Sequence, residues 1–197
     1  MYSDSINNLI RSFKYLPTVG QKTAERFVFH LLKSGKKEVG ELALALSNLT
    51  DNVKSCQNCW NFSDTNPCKT CNNQSKDKTI LCIVAEPQDL VAIEQTSDYV
   101  GLYFVLRGVI NQDQSNLNKL KIKELIARVK KDMSLKEVIL ALNPNIEGET
   151  TMMHLEQLIK KNSPNIKITK LARGLPMNSD LQYADEITLG SAIKNRQ

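Results

Sequence analysis

Apolar residues near the start of the chain recur at helical spacing. Ile6, Leu9, Ile10 and Phe13 fall on one side of a helix between residues 3 and 14, and the pattern stops before Leu16-Pro17. A second helical stripe, Ala24, Phe27, Val28, Leu31 and Leu32, begins just past Gly20. Residues 55–78 show almost no apolar periodicity. From Thr79 onward, short apolar runs at 80–84, 102–106, 137–142 and 166–171 read as strands. Helical stretches separate them, starting at about Pro87, spanning 119–131, and starting again from Glu149. Strands alternating with helices predict a parallel sheet covered on both faces.

Composition narrows the class. The chain has 197 residues, 41% hydrophobic and 24% charged, which suits a globular protein with a core of useful size and excludes a fibre or a disordered chain. No apolar run is long enough to cross a bilayer, and the start Met1-Tyr-Ser-Asp-Ser lacks the charge and apolar stretch of a signal peptide. A cytoplasmic protein with no membrane partner is expected. The formal net charge is +5, and the excess is +3 over residues 1–54 against +1 over 55–78 and +1 over the remainder. A basic head on a nearly neutral body is compatible with nucleic-acid binding.

The first candidate chemistry lies between the two N-terminal helices. Leu16-Pro-Thr-Val-Gly20-Gln-Lys22-Thr-Ala-Glu-Arg26 reads as helix, tight hairpin, helix, with Gly20 supplying backbone freedom at the turn. Amides at the start of the second helix offer an anion site for a DNA phosphate, and Lys22 and Arg26, four apart, share the face beside it. The pattern Leu-Pro-x-Val-Gly-x-Lys resembles the helix-hairpin-helix motif, which grips backbone phosphates without reading sequence. An ordinary turn between packed helices is the plainer alternative. His30 is expected to be a packed residue.

The second lies in the segment without periodicity. Cys56-x-x-Cys59 and Cys68-x-x-Cys71 are two knuckles joined by eight residues, and four thiolates make the tetrahedral sulfur shell that zinc prefers. Asn61, Ser63, Asp64, Asn66 and Pro67 give the loop little to bury, so a metal would hold it, at roughly 10–16 kcal/mol of apparent binding free energy. Four protein ligands leave no open position, so a structural zinc is expected, with a redox pair or an iron-sulfur cluster as the alternatives. Cys82, inside an apolar strand pattern, is expected to be a buried small hydrophobe.

The third is acidic. In a parallel sheet, function gathers at the carboxyl ends of the strands. Glu86 follows the run at 80–84, and Asn143-Pro-Asn-Ile-Glu147-Gly-Glu149 follows the run at 137–142. Three carboxylates converging there could hold magnesium, the layout of the TOPRIM domain of topoisomerases and primases. The catalytic members carry Asp-x-Asp where this chain has Glu147-Gly-Glu149, so magnesium stays open. None of Tyr99, Tyr103 and Tyr183 is marked as a nucleophile, and Tyr103 is expected to pack in its strand. A phosphate-cradling Gly-x-x-x-x-Gly-Lys-Thr is absent.

Taken in order, these motifs, followed by Lys170-Leu-Ala-Arg-Gly-Leu-Pro176 and Tyr183-Ala-Asp-Glu-Ile-Thr-Leu189, resemble the bacterial recombination mediators of the RecR family over nearly the full length. The expected fold is a multi-part α+β chain. A helix-hairpin-helix region spans 1–54, a zinc finger 55–78, a TOPRIM-like α/β domain 79–172 and an oligomerisation segment 173–197. The resemblance implies a non-enzymatic DNA-binding mediator of repair that works with RecO, and in many bacteria RecF, to load RecA onto single-stranded DNA coated by SSB. It implies a dimer or a ring-shaped tetramer able to encircle DNA, bound without sequence preference at single-strand/double-strand junctions. It also implies DNA contacts at Lys22 and Arg26, zinc at Cys56, Cys59, Cys68 and Cys71, and a RecO-facing surface at Glu86, Glu147 and Glu149. The competing enzyme reading is a magnesium-dependent TOPRIM nuclease or nicking protein using those three glutamates.

Overall fold

The computed structural model describes residues 2–172, 174, 175, 178, 180–194 and 196. The chain divides into two compact units, 1–53 and 54–197.

In the first unit, α1 (Asp4–Phe13) and α2 (Gln21–Ser34) pack through Ile10, Ala24 and Val28, with Ile6, Phe13 and Val19 around them. The core is small, and edge-to-face rings widen it: Phe13 on Phe27 at 5.6 Å and Tyr2 on Phe29 at 5.2 Å. A third helix, α3 (Lys36–Asn52), follows Gly35, which takes a left-handed φ of 93°. Helix α3 is not among the expected elements; Val39, Leu42, Leu46 and Leu49 share one of its faces at helical spacing, but none of its residues is buried.

The second unit opens with a two-stranded antiparallel ribbon, β1 (Lys54–Ser55) and β2 (Phe62–Ser63), and a single helical turn, α4 (Lys69–Asn72). Then come β3 (Asp77–Val84), α5 (Pro87–Gln95), β4 (Gly101–Val105), α6 (Ile122–Lys131), β5 (Glu137–Ala141), α7 (Ile146–Asn162) and β6 (Lys167–Lys170). The four long strands form one parallel sheet in the order β4-β3-β5-β6. Alternate residues face opposite ways. Leu81, Ile83, Phe104 and Leu140 pack with Leu125, Val129, Leu155 and Ile159 of α6 and α7, whereas Cys82, Val84, Tyr103 and Val105 pack with Leu90 of α5. Helices therefore cover both faces, as expected. A 3-10 turn (Leu181–Tyr183) and α8 (Glu186–Lys194) end the described chain; Arg173 and Pro176 of the Ala-Arg-Gly-Leu-Pro stretch lie outside the described residues.

The expected strands appear within one to three residues. The expected start of the last long helix does not hold: α7 begins at Ile146, three residues before Glu149. Asn145 caps it, its side-chain oxygen accepting from the Gly148 amide at 2.8 Å. Cys82 and Tyr103 are buried in the sheet as expected.

Candidate nucleic-acid interface, metal centre and strand-end surface

The hairpin between α1 and α2 contains one left-handed residue, and it is Thr18 with φ 65°. Gly20 sits at the N-cap in extended backbone, φ −83° and ψ 176°. The expectation that Gly20 supplies the turn's freedom is therefore corrected: the sharp change of direction is complete two residues earlier. A Cβ on Gly20 would meet nothing within 4 Å, and with no capping side chain the first amides of α2 stay open. Lys22 and Arg26 are exposed on the adjoining face, and neither pairs with an acid among the described residues. Glu25 is held by Gln21 at 2.7 Å. His30 is exposed rather than packed. Its position, two helical steps of four beyond Lys22, puts it on the basic face, while Ala24 and Val28 take the core face.

The four cysteines come together. Their sulfur atoms all lie within 4.8 Å of one another, with Cys56, Cys59 and Cys68 buried and Cys71 half-buried. Among the described residues no other group of three or more His, Cys, Asp or Glu does so. Each knuckle folds on its own backbone: the Trp60 amide donates to the Cys56 carbonyl at 2.8 Å, and the Asn72 amide to the Cys68 carbonyl at 3.0 Å. The Cys68 amide points at Cys56 Sγ and the Cys71 amide at Cys68 Sγ, both at 3.4 Å, donors suited to thiolates. Contact with Cys59 and Cys71 lowers the Cys68 pKa to about 2, whereas contact with Cys68 pushes Cys59 up to about 12 and Cys71 is pushed up further, first by Cys59. Four clustered thiolates repel one another, and the charge of a bound metal ion is what would let them coexist. The donor set fits a structural metal, with all four positions filled by protein.

The metal module is fastened to the sheet. The Val105 amide donates to the Cys59 carbonyl at 2.8 Å, closing the outer edge of β4. Arg107 donates through Nε to the Trp60 carbonyl at 2.7 Å and through Nη2 to Ser55 Oγ at 3.0 Å, and its guanidinium lies 3.5 Å from the Phe62 ring centroid. Lys121 Nζ lies 4.2 Å from the Trp60 ring centroid, and Arg128 Nη1 donates to the Asn58 carbonyl at 2.7 Å. Sequence reasoning missed these three cations, which carry no motif and meet the module only through folding.

The carboxylates flank the crevice between β3 and β5, where the strand order reverses. They do not converge. Glu86 is exposed and caps α5, its side chain accepting from the Asp89 amide while Asp89 Oδ2 accepts from the Glu86 amide at 2.9 Å. Glu147 and Glu149 are half-buried in the first turn of α7. Residues two apart on a helix differ by about 200° around the axis, so these two cannot face one ion. The sequence left magnesium open; as placed, Glu86, Glu147 and Glu149 do not gather on one point and do not fit a three-carboxylate site.

Comparison with known proteins gives three matching family models: a RecR helix-hairpin-helix model over residues 6–50, a Toprim domain over 79–172 and a RecR C-terminal model over 174–197. Among curated relatives, the chain is 41% identical to recombination protein RecR of Clostridium perfringens over 196 residues, covering 99% of this chain and 97% of the relative. It is 44% identical over 198 residues to those of Bifidobacterium adolescentis and Gloeobacter violaceus, covering all of this chain and 97% and 99% of the relatives.

Proposed function

From the premise that this chain belongs to the RecR family of recombination proteins, we propose that it is a non-enzymatic mediator that binds DNA without reading sequence and, with RecO, and with RecF in organisms that use it, loads RecA onto SSB-coated single-stranded DNA. A role in DNA recombination and repair comes with the family. The observation that carries the finer reading is the open start of α2 beside exposed Lys22 and Arg26, coupled in one chain to a Toprim sheet whose carboxylates do not assemble. Open amides and two cations suit backbone phosphates. Separated carboxylates suit a docking surface better than a metal-dependent cut.

In this reading, residues 1–54 hold DNA, 55–78 hold zinc through Cys56, Cys59, Cys68 and Cys71, 79–172 present Glu86, Glu147 and Glu149 to RecO, and 173–197 join protomers. A dimer or a ring-shaped tetramer, working in the cytoplasm, gathers several weak phosphate sites around one DNA. No helix among the described residues is long and apolar enough to cross a membrane.

The test is RecA loading. Purified protein with RecO is added to SSB-coated single-stranded DNA, and the lag before DNA-dependent ATP hydrolysis by RecA is timed. The lag should shorten only when both proteins are present and should return with Lys22→Ala/Arg26→Ala. An unchanged lag with wild-type protein would remove the mediator reading.

A further inference from the structure

Arg107 stands where three parts of the second unit meet. It follows β4 at the carboxyl end of the sheet, with a left-handed φ of 67°, and Gly108 after it has φ 129°. A residue with a Cβ adopts that region rarely and needs its surroundings to hold it there. The surroundings are the four-cysteine module: Nε is held by the Trp60 carbonyl, Nη2 by Ser55 Oγ, and the guanidinium stacks on the Phe62 ring. Arg suits this place because a planar group with several donors can bond two acceptors and stack at once.

The turn that Arg107 holds reaches both halves of the acidic surface. The Gly108 amide donates to the Ala85 carbonyl at 3.0 Å, one residue before Glu86, and a Cβ on Gly108 would lie 3.9 Å from Glu86 Oε1. The Ile110 amide donates to Thr151 Oγ1 at 2.8 Å, and Thr151 Oγ1 donates to the Glu147 carbonyl at 2.7 Å. Thr151 is fully buried, so water cannot replace these bonds. Glu86 also acts on the Arg107 guanidinium by its charge, opposing the effect of burial there.

We infer that Arg107 is a positioning residue: it transmits the folded state of the four-cysteine module to the strand-end surface bearing Glu86 and Glu147, so that whatever docks on that surface binds only when the metal module is intact. The bistable element is the left-handed turn at 107–108, held while the module grips Arg107 and relaxed when it does not. The docking consequence rests on the mediator reading above; the coupling itself does not.

The test is hydrogen exchange by mass spectrometry on the zinc-loaded full chain, before and after chelation, for wild type, Arg107→Ala and Phe62→Ala. In the wild type, chelation should speed exchange at 84–90, 107–112 and 146–151 as well as at 54–72. Arg107→Ala should keep its zinc and still exchange faster at the first three segments, and chelation should then add little there. Phe62→Ala, whose ring is mostly exposed, should shift the same segments less and decides the matter if Arg107→Ala does not fold. Zinc-loaded variants that exchange like wild type, or chelation that loosens 54–72 alone, would overturn the inference. In parallel, RecO binding by titration should weaken roughly tenfold in Arg107→Ala. Unchanged RecO binding despite altered exchange would overturn the docking consequence. If wild-type protein binds no RecO while exchange shifts as expected, the mediator reading fails and the coupling stands.

Discussion

Gly148 is where a single atom decides whether the strand-end surface forms. A Cβ there would sit 1.9 Å from the Asn143 carbonyl oxygen, a backbone atom that cannot swing aside. Gly148→Ala should therefore cost about 2–4 kcal/mol in urea unfolding by distorting the start of α7; a cost near zero would show that the 143–148 turn yields freely. Lys76 is a second such place, its side chain 8% exposed and its Nζ bonded to Glu94 Oε2 at 2.8 Å and the Tyr99 carbonyl at 3.1 Å. Burial pushes the Glu94 pKa up, but the Lys76 hydrogen bond, Tyr103 and the Lys76 charge together outweigh it and leave it below the ordinary value of 4.5. A lowered folded pKa adds stability above the unfolded value that is lost as pH falls through the folded one. Melting temperature should thus fall more steeply below about pH 4.5 in wild type than in Glu94→Gln; parallel curves would mean the pair adds nothing. At this scale the sequence was readable where chemistry is written in residue type, as with the cysteines. It was not readable where backbone decides: the left-handed position at Thr18 rather than Gly20, and the exposed His30, are set by where α2 starts and which face Ile10 needs.

At the scale of elements, period and spacing revealed most of the second unit. The strands are apolar because both faces are covered, so their runs stand out against amphipathic helices. The start of α7 was misjudged because Ile146, the apolar residue at the boundary, is exposed and lies off the face of the buried Met152, Leu155 and Ile159, and that error hid the opposed directions of Glu147 and Glu149. The metal module could be read as ligands but not as a docked part, since Arg107, Lys121 and Arg128 come from distant sequence. Loss of the metal should unfold 54–72 and leave β3 and β5 in place, because the buried residues of the sheet's cores include none of the four cysteines, and the module's Trp60 packs against them only as a partly buried neighbour. Cys59→Ser should release zinc, and emission from Trp60, the sole tryptophan, should shift to longer wavelength while the far-ultraviolet signal of the sheet and helices persists. Collapse of the whole signal would mean the module is needed for the sheet itself.

For the whole molecule, the net charge of +5 sets the problem. In the proposed reading one protomer with so little excess charge binds DNA weakly alone, each phosphate neutralised contributing a slope of about −0.9 in log K against log salt. Closing several hairpins around one DNA multiplies weak contacts without asking any of them to read a base. Motif order made the fold class readable, and family models match residues 6–50, 79–172 and 174–197; the acidic surface was readable only as a set of candidates, because its geometry depends on a helix boundary. The most direct test of the central claim mixes purified protein with gapped circular DNA and magnesium over a salt series, run on native and denaturing gels. We expect a salt-sensitive shift with both strands intact, weakened in Lys22→Ala/Arg26→Ala by a slope smaller by about 1–2 while the fold is kept. Strand breaks that vanish in Glu147→Ala would contradict the account and make the carboxylates catalytic.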